Sequence, residues 1–136
     1  MYQLTKTSFV TDELTIKNNK IRNGNFKLLP ELKRETGKLN ENVYFTRLIL
    51  DIKSTQLNPF PVDVHIKFLG IFEFKDIDNE GNIFAFLKIR AVEIMYPYLR
   101  SMLSNLSVTA MLPPIMLPVV DVTKIFPERD TGTIVN

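Results

Sequence analysis

The chain has 136 residues, of which 45% are hydrophobic and 24% are charged, with a net charge of +2 and no cysteine. This composition predicts one globular domain over residues 1–136 and excludes a disordered chain. The lack of cysteine excludes disulfides, thiolate metal sites and cysteine nucleophiles. No apolar run reaches the ~18 residues of a membrane span. The first residues lack the apolar core of a signal peptide, so we expect a cytoplasmic protein without direct membrane insertion.

Alternating hydrophobic residues predict strands in three parts of the chain. A first strand is expected around residues 10–16. A second covers residues 43–53 and has one apolar face and one mixed face, which includes Phe45. The third, residues 62–74, alternates without an error over its first seven positions, and Gly70 is expected to allow a bulge.

The segment between the first two strands, residues 23–42, is predicted to be a long polar connection, and connections of this length are usually functional or mobile. It carries one apolar cluster, formed by Phe26, Leu28 and Leu29. Beyond the strands, helical periodicity begins near Phe84, and Pro97 is expected to kink or restart the helix. The stripe of this helix contains Leu99, Met102, Leu103 and Leu106.

Residues 110–120 contain no charged side chain and include Pro113, Pro114 and Pro118. Proline donates no backbone hydrogen bond, so this stretch is predicted to be neither helix nor central strand. Its large apolar side chains must be buried in the core, buried against another subunit, or offered to an apolar partner. Pro127 limits any following helix to one or two turns, and residues 128–136 are expected to be frayed. Strands followed by a long helix predict an α+β fold with an antiparallel sheet.

The sequence offers little catalytic chemistry. His65 is the only histidine, which excludes a histidine metal cluster, and its place in the alternation predicts an exposed strand residue. The turn at residues 76–81 partly resembles a calcium loop, but Leu87 stands where the closing glutamate belongs. No phosphate-binding loop is recognisable. We therefore expect no enzyme and no cofactor.

Three classes of function remain open from the residues alone. An apolar, proline-restricted loop and an apolar cluster in a long connection suit the binding of extended, unfolded polypeptides. A small-ligand module would need an enclosed pocket with convergent polar groups. A nucleic-acid binder would need a basic stripe, whereas the positive charges of this chain are scattered.

Several motifs, in order, resemble the SecB export chaperone family. They are Gly70-Ile71-Phe72 in a strand, residues 96–100 (YPYLR) in a helix, and residues 112–119 (LPPIMLPV) in a loop. Residues 10–16 also resemble the family's first strand. The resemblance implies a four-stranded antiparallel sheet backed by a long helix and a homotetramer built as a dimer of dimers. It also implies an ATP-independent holdase, which binds unfolded polypeptides, here called clients, in an apolar groove for protein export or translocation.

The chain departs from typical members of that family in charge, because they are strongly acidic and this chain is slightly basic. The family docks the SecA motor through carboxylates on the exposed sheet face. Glu13 keeps one such position, Lys17 replaces another, and His65 stands at a third with Asp63 nearby. Glu13 and Asp63 are thus the candidate SecA-docking residues, and weak SecA dependence is expected. Divergent members of this kind resemble chaperones of toxin–antitoxin systems, so an antitoxin is the alternative client.

Two sets of site residues are predicted. The client groove is placed between the long connection and the proline-rich loop, because both are apolar stretches outside regular elements. Its predicted lining is Phe26, Leu28, Leu29, Phe45, Leu112, Ile115 and Met116. The predicted oligomer interface is the helical stripe Leu99, Met102, Leu103 and Leu106.

Overall fold

The structure is a computed structural model that describes residues 2–21, 24–119 and 121–126. Within these residues, four strands form one antiparallel sheet of order β1-β4-β3-β2, and three helices follow. The elements are β1 (Gln3–Asn18), β2 (Glu31–Asn40), β3 (Val43–Ile52), β4 (Val62–Lys75), α1 (Glu80–Lys88), α2 (Arg90–Thr109) and α3 (Val122–Ile125). The predicted α+β fold is confirmed, and α3 is a single turn as Pro127 requires. The tail predicted to be frayed, residues 128–136, lies outside the described residues.

Strand β4 lies inside the sheet, and its predicted alternation is confirmed. Val62 and Ile66 are fully buried in the core, while His65 faces the other way. The prediction of a bulge at Gly70 is wrong, because β1 and β3 both pair with this residue without a shift of register. Glycine serves a different purpose there. A Cβ atom at this position would lie 2.7 Å from Sδ of Met95, so a larger residue would force the Met95 side chain to shift.

Residues 31–40 form edge strand β2, which corrects the prediction of an unbroken polar connection. The alternation of hydrophobic residues does not mark this strand, because polar residues occupy positions that face the core. Arg34 and Thr36 are both buried, and Arg34 Nη1 donates to the carbonyl of Lys88 at 2.8 Å. The guanidinium of Arg34 also lies 4.6 Å from the ring centroid of Phe126. These buried contacts let a polar segment complete the sheet, and the connection that remains between β1 and β2 is residues 19–30.

The helical region is interrupted at Ile89 and not at the predicted position, because α2 continues through Pro97. At the end of α1, side chains from the sheet satisfy backbone carbonyls. Thr46 Oγ1 donates to the carbonyl of Leu87 at 2.8 Å, beside the bond from Arg34. Carbonyls at a helix end need such partners, so the sheet stabilises the break. Among the described residues, no helix is both long and apolar enough to cross a membrane.

The helices cover one face of the sheet, which we call the inner face. Its buried side chains include Tyr44, Leu48, Leu50, Ile66 and Phe72, and they form one core with the apolar residues of α1 and α2. The opposite, outer face carries the alternate residues of the strands. Its members include Val10, Glu13, Phe45, Arg47, Asp51, Asp63, His65, Lys67 and Leu69.

Candidate functional site

The stretch from Ala110 to Val119, which we call the proline loop, begins at a defined helix cap. The N–H of Leu112 donates to the carbonyl of Ser107, and that of Met111 to the carbonyl of Val108. This is a Schellman cap, whose left-handed position is usually glycine. Here Met111 takes it, with φ of 64°. A methionine in this conformation stores backbone strain, and its side chain is 91% exposed.

Two side chains of α2 hold the far end of the proline loop. The hydroxyl of Tyr96 donates to the carbonyl of Pro118 at 2.7 Å, and Nε of Arg100 donates to the carbonyl of Leu117 at 2.9 Å. Leu117 itself is buried in the core. The loop is therefore fixed at both ends, and its prolines further limit the freedom of its backbone.

The β1–β2 connection, residues 19–30, is fixed mainly through Asn19. Its N–H donates to the carbonyl of Pro61, and its side-chain amide donates to Phe60 O and Asp63 Oδ1. Further along, the ring of Phe26 packs edge-on against that of Phe60, with centroids 6.3 Å apart. These contacts hold the connection against the end of the sheet nearest the proline loop.

Two cavities lie between the connection and the proline loop, and together they form what we call the groove. The first, of about 450 Å³, is lined by Asn18, Lys20, Ile21, Phe26, Pro61, Leu112 and Pro113. The second, of about 230 Å³, is lined by Pro30, Leu32, Leu50, Tyr96, Leu117, Pro118 and Ile125. Apolar side chains dominate both linings, so the groove can receive apolar groups of a partner.

Two of the seven predicted groove residues line one cavity, and four others lie elsewhere in the two walls. Phe26 and Leu112 line the first cavity, one from each wall. Leu28 and Ile115 are half-buried against the core. Leu29 and Met116 are exposed, at 52% and 57%. These six residues belong to the two walls, and their contact with a client stays a prediction.

Phe45 does not belong to this group, which corrects its predicted place in the groove. It lies on the outer face, because the alternation of β3 turns it away from Tyr44 and Thr46. It is only 6% exposed, and the guanidinium of Arg47 lies 5.3 Å from its ring centroid. An aromatic residue on a mixed face can thus be covered by a neighbouring charged side chain.

Several groove residues were missed by the sequence prediction. Leu32, Leu50 and Tyr96 line the second cavity, but they come from three separate elements, and no local pattern marks their proximity. Met111 and Val119 are also exposed in the same uncharged stretch, but neither is among the described residues that line the two cavities.

The predicted oligomer interface is corrected at two of its four positions. Leu99 and Leu103 are both 0% exposed in the single chain, because this stripe of α2 packs on its own sheet. They have no surface left for a second subunit. Met102 and Leu106 are half-buried and flank the exposed Tyr98, so an interface stays a prediction for this side of the helix.

The two candidate SecA-docking carboxylates have partners within the chain. Glu13 contacts Nε2 of His65 at 2.8 Å and Nζ of Lys67 at 3.7 Å. Asp63 accepts hydrogen bonds from the N–H of Ser54 at 2.8 Å and from Asn19. The bond from Ser54, followed by that from Asn19, lowers the pKa of Asp63. Both carboxylates are therefore already engaged in internal contacts.

His65 connects three strands on the outer face. Its Nδ1 lies 2.6 Å from Asp51 Oδ1 on β3, and its Nε2 contacts Glu13 on β1. The hydrogen bond with Asp51 is the main contact that raises the pKa of His65, and the bond with Glu13 acts in the same direction. The raised pKa favours the imidazolium form, in which His65 would form ion pairs with both carboxylates.

The two cavities are mostly apolar. Among the described residues, no group of three or more metal-binding side chains is found. Of the described residues that line the two cavities, Lys20 alone is charged. The cavities can shelter apolar side chains.

A four-stranded antiparallel sheet with a long helix on one face and an apolar groove at its end defines a small α+β protein. The chain belongs to the SecB family, because the family described as preprotein translocase subunit SecB matches residues 15–132.

Individual relatives are more distant. A protein-export protein SecB of Orientia tsutsugamushi is 26% identical over 133 residues, which cover 93% of this chain and 82% of that protein. An uncharacterized protein of Methanocaldococcus jannaschii is 25% identical over 121 residues, covering 89% of this chain and 76% of that protein.

A solved structure has the same fold. It is the SecB-like chaperone of Mycobacterium tuberculosis in complex with a ChAD peptide from an antitoxin. The TM-score is 0.73 at 14% identity, covering 88% of this chain and 90% of that one.

Proposed function

We propose that the protein is an ATP-independent holdase, which binds apolar segments of unfolded polypeptides in the groove between the β1–β2 connection and the proline loop. The observation that carries this proposal is the pair of apolar cavities between two fixed walls. Exposed apolar side chains next to such cavities are typical of binding surfaces. The proline loop is held before a client arrives, so little ordering entropy is lost on binding.

The proposal requires release without nucleotide, because the sequence contains no recognisable phosphate-binding loop. Release would follow from weak contacts at several positions or from transfer to a partner. Methionine side chains suit this kind of binding, because they adapt to clients of different shape. Met111 and Met116 are both exposed on the proline loop.

The test is an aggregation assay with chemically denatured clients and a double variant, Met111→Ser with Met116→Ser. Both side chains are largely exposed, so we expect the melting temperature to change little and the suppression of aggregation to fall several-fold. The matched control is Leu57→Ser, because Leu57 is 100% exposed in the connection between β3 and β4. Wild-type protein in molar excess that leaves the aggregation of several clients unchanged contradicts the proposal.

An antitoxin is the second candidate client. The solved chaperone with this fold is bound to a ChAD peptide from an antitoxin, which supports testing the same kind of ligand here. A fluorescent ChAD peptide should bind and be displaced by an unfolded client if both use the groove. If an unfolded client displaces the peptide from the Met111→Ser, Met116→Ser variant as strongly as from wild type, the peptide binds outside the groove.

A role in export is supported by the relatives that are named protein-export proteins, and it would place the holdase in the cytoplasm. We infer that any docking to SecA through Glu13 and Asp63 is weak, because both carboxylates already have internal partners. A partner must compete with those contacts. Sub-micromolar affinity for the basic tail of SecA would contradict this inference.

We further propose a homotetramer that uses the outward side of α2, with Met102 and Leu106. Light scattering tests the assembly, and Met102→Asp should split it while the fold stays intact, because Met102 is only half-buried. Leu103→Asp is the contrasting variant, since a charge at a fully buried position should unfold the single chain. A wild-type monomer at all concentrations would refute the tetramer.

A further inference from the structure

The two walls of the groove differ in charge. In the sequence, residues 19–30 contain Lys20, Arg22 and Lys27 and no aspartate or glutamate. The proline loop contains no charged residue at all. The chain as a whole carries a net charge of only +2, so this short connection is more basic than the chain average. Of these three cations, Lys20 and Lys27 belong to the residues that the structure describes, so this wall carries positive charge while the proline loop carries none.

Lys20 is held at the mouth of the first cavity, which it helps to line. Its backbone is left-handed, with φ of 59°. Its N–H donates to Asn18 Oδ1 at 2.7 Å, and the neighbouring Asn19 is fixed to the carbonyl of Pro61. A lysine in this conformation is unfavourable unless its surroundings impose it. These contacts therefore fix the backbone position from which the charged side chain of Lys20 extends.

Asp63 contacts this wall, because it accepts a hydrogen bond from the side chain of Asn19. It lies on the outer face and is already bonded to the N–H of Ser54. Among the described residues, Lys20 forms no ion pair with a carboxylate of the chain. Its charge is available to a bound partner.

We propose that the groove selects apolar client segments that are flanked by acidic residues, with Lys20 as the main contact for the flanking carboxylates. This rests on the proposed function and adds the charge class of the client. Apolar side chains would fill the two cavities, and an aspartate or glutamate beside them would approach the connection. Such a charge raises specificity and the association rate more than it raises affinity.

The test uses two fluorescent peptides that share one core of leucine and phenylalanine and carry either aspartates or lysines at both ends. At low ionic strength we expect the acidic peptide to bind about fivefold more tightly, as expected from a few exposed ion pairs. The preference should shrink as salt is added, because salt screens exposed charges. Equal affinity for the two peptides, or a preference for the basic one, overturns the inference.

Lys20→Glu should remove or reverse the preference while binding of the apolar core persists. The matched control is Lys75→Glu, which makes the same change of net charge at the other end of β4 and should leave the preference as in wild type. The melting temperature of each variant is measured first. If Lys20→Glu does not fold, Lys27→Glu on the same wall provides the equivalent test. A preference that survives a folded charge reversal overturns the role of this wall.

The remaining outcomes separate this inference from the proposed function. If neither peptide binds wild-type protein, the holdase proposal fails and the charge preference fails with it. If both bind equally, only the charge preference is wrong. A single-stranded oligonucleotide that displaces the acidic peptide at lower concentration than the peptide binds would overturn the inference in favour of nucleic-acid binding.

Discussion

On the outer face of the sheet, charged side chains find partners on other strands, whereas the proline loop exposes apolar side chains to solvent. Arg47 illustrates the first case, with Asp12 at 3.2 Å and Glu35 at 2.9 Å. Met111 and Met116 illustrate the second, because both are exposed on the proline loop. A surface whose charges are satisfied internally gains little from a partner, and an apolar surface gains more. The difference favours the groove as the binding region.

The sharpest test of the two faces compares neighbouring residues of β4. Ile66 is fully buried on the inner face, so Ile66→Ala should lower the free energy of unfolding by about 2–5 kcal/mol. Lys67 points to the outer face, and Lys67→Ala should change it by no more than about 0.5 kcal/mol. Urea denaturation of both variants measures the two values. Similar losses would mean that the outer face is covered in solution.

The fixed position of the proline loop is tested at Tyr96. Tyr96→Phe removes the hydroxyl that donates to Pro118, and we expect a loss of about 1 kcal/mol together with faster hydrogen exchange in the loop. Tyr98→Phe is the control, since Tyr98 is 53% exposed and packs through its ring against Phe9. Client affinity should fall for the first variant alone. Unchanged exchange in the loop would show that this bond does not fix it.

Met111→Gly should separate stability from binding. Glycine removes the strain of a positive φ at the cap of α2, and we expect a gain of roughly 0.5–1 kcal/mol in stability. The same change removes an exposed apolar side chain from the groove region, so client affinity should fall. Melting and binding are measured on the same preparation. A gain in both would exclude Met111 as a contact residue.

The smallest effect is expected from the ion pairs of His65. The pKa of His65 is raised above the ordinary 6.5, mainly by the bond with Asp51, so protonation is favoured in the folded state. The stabilisation is fully present below the unfolded pKa and is lost as pH rises through the folded pKa. The advantage of wild type over His65→Gln should therefore be below about 1 kcal/mol and should shrink as pH rises above the ordinary pKa of 6.5. A difference that does not change as pH rises would contradict the pairing.

The sequence predicts the inner strands of this fold well and its edge poorly. In β4, side chains alternate between core and surface, and period-two hydrophobicity reports that directly. In β2, the inward position of Arg34 is satisfied by the carbonyl of Lys88, which is distant in sequence. No local pattern contains that contact. The helix break at Ile89 was missed for the same reason, because Thr46 of β3 helps to stabilise it.

The two walls of the groove could be predicted from the sequence, but the residues that line the second cavity could not. Uncharged, proline-rich sequence marks the loop with Leu112, and an apolar cluster marks the connection with Phe26. Their meeting in one cavity agrees with that prediction. The second cavity depends on residues such as Leu50 and Tyr96, which local patterns assign only to the core. Phe45 was assigned to the correct, mixed face of its strand but not to the correct site, because alternation along a strand does not show which loops lie beside that face.

The bonds that hold the proline loop are made to backbone carbonyls, those of Leu117 and Pro118, by Arg100 and Tyr96. Carbonyl groups are present whatever side chain a residue carries. Substitutions at neighbouring loop positions can therefore accumulate without moving the main chain. The path of the loop backbone and the preference for a ligand can thus evolve separately. Descendants of one ancestor can keep the same loop path while they bind different ligands.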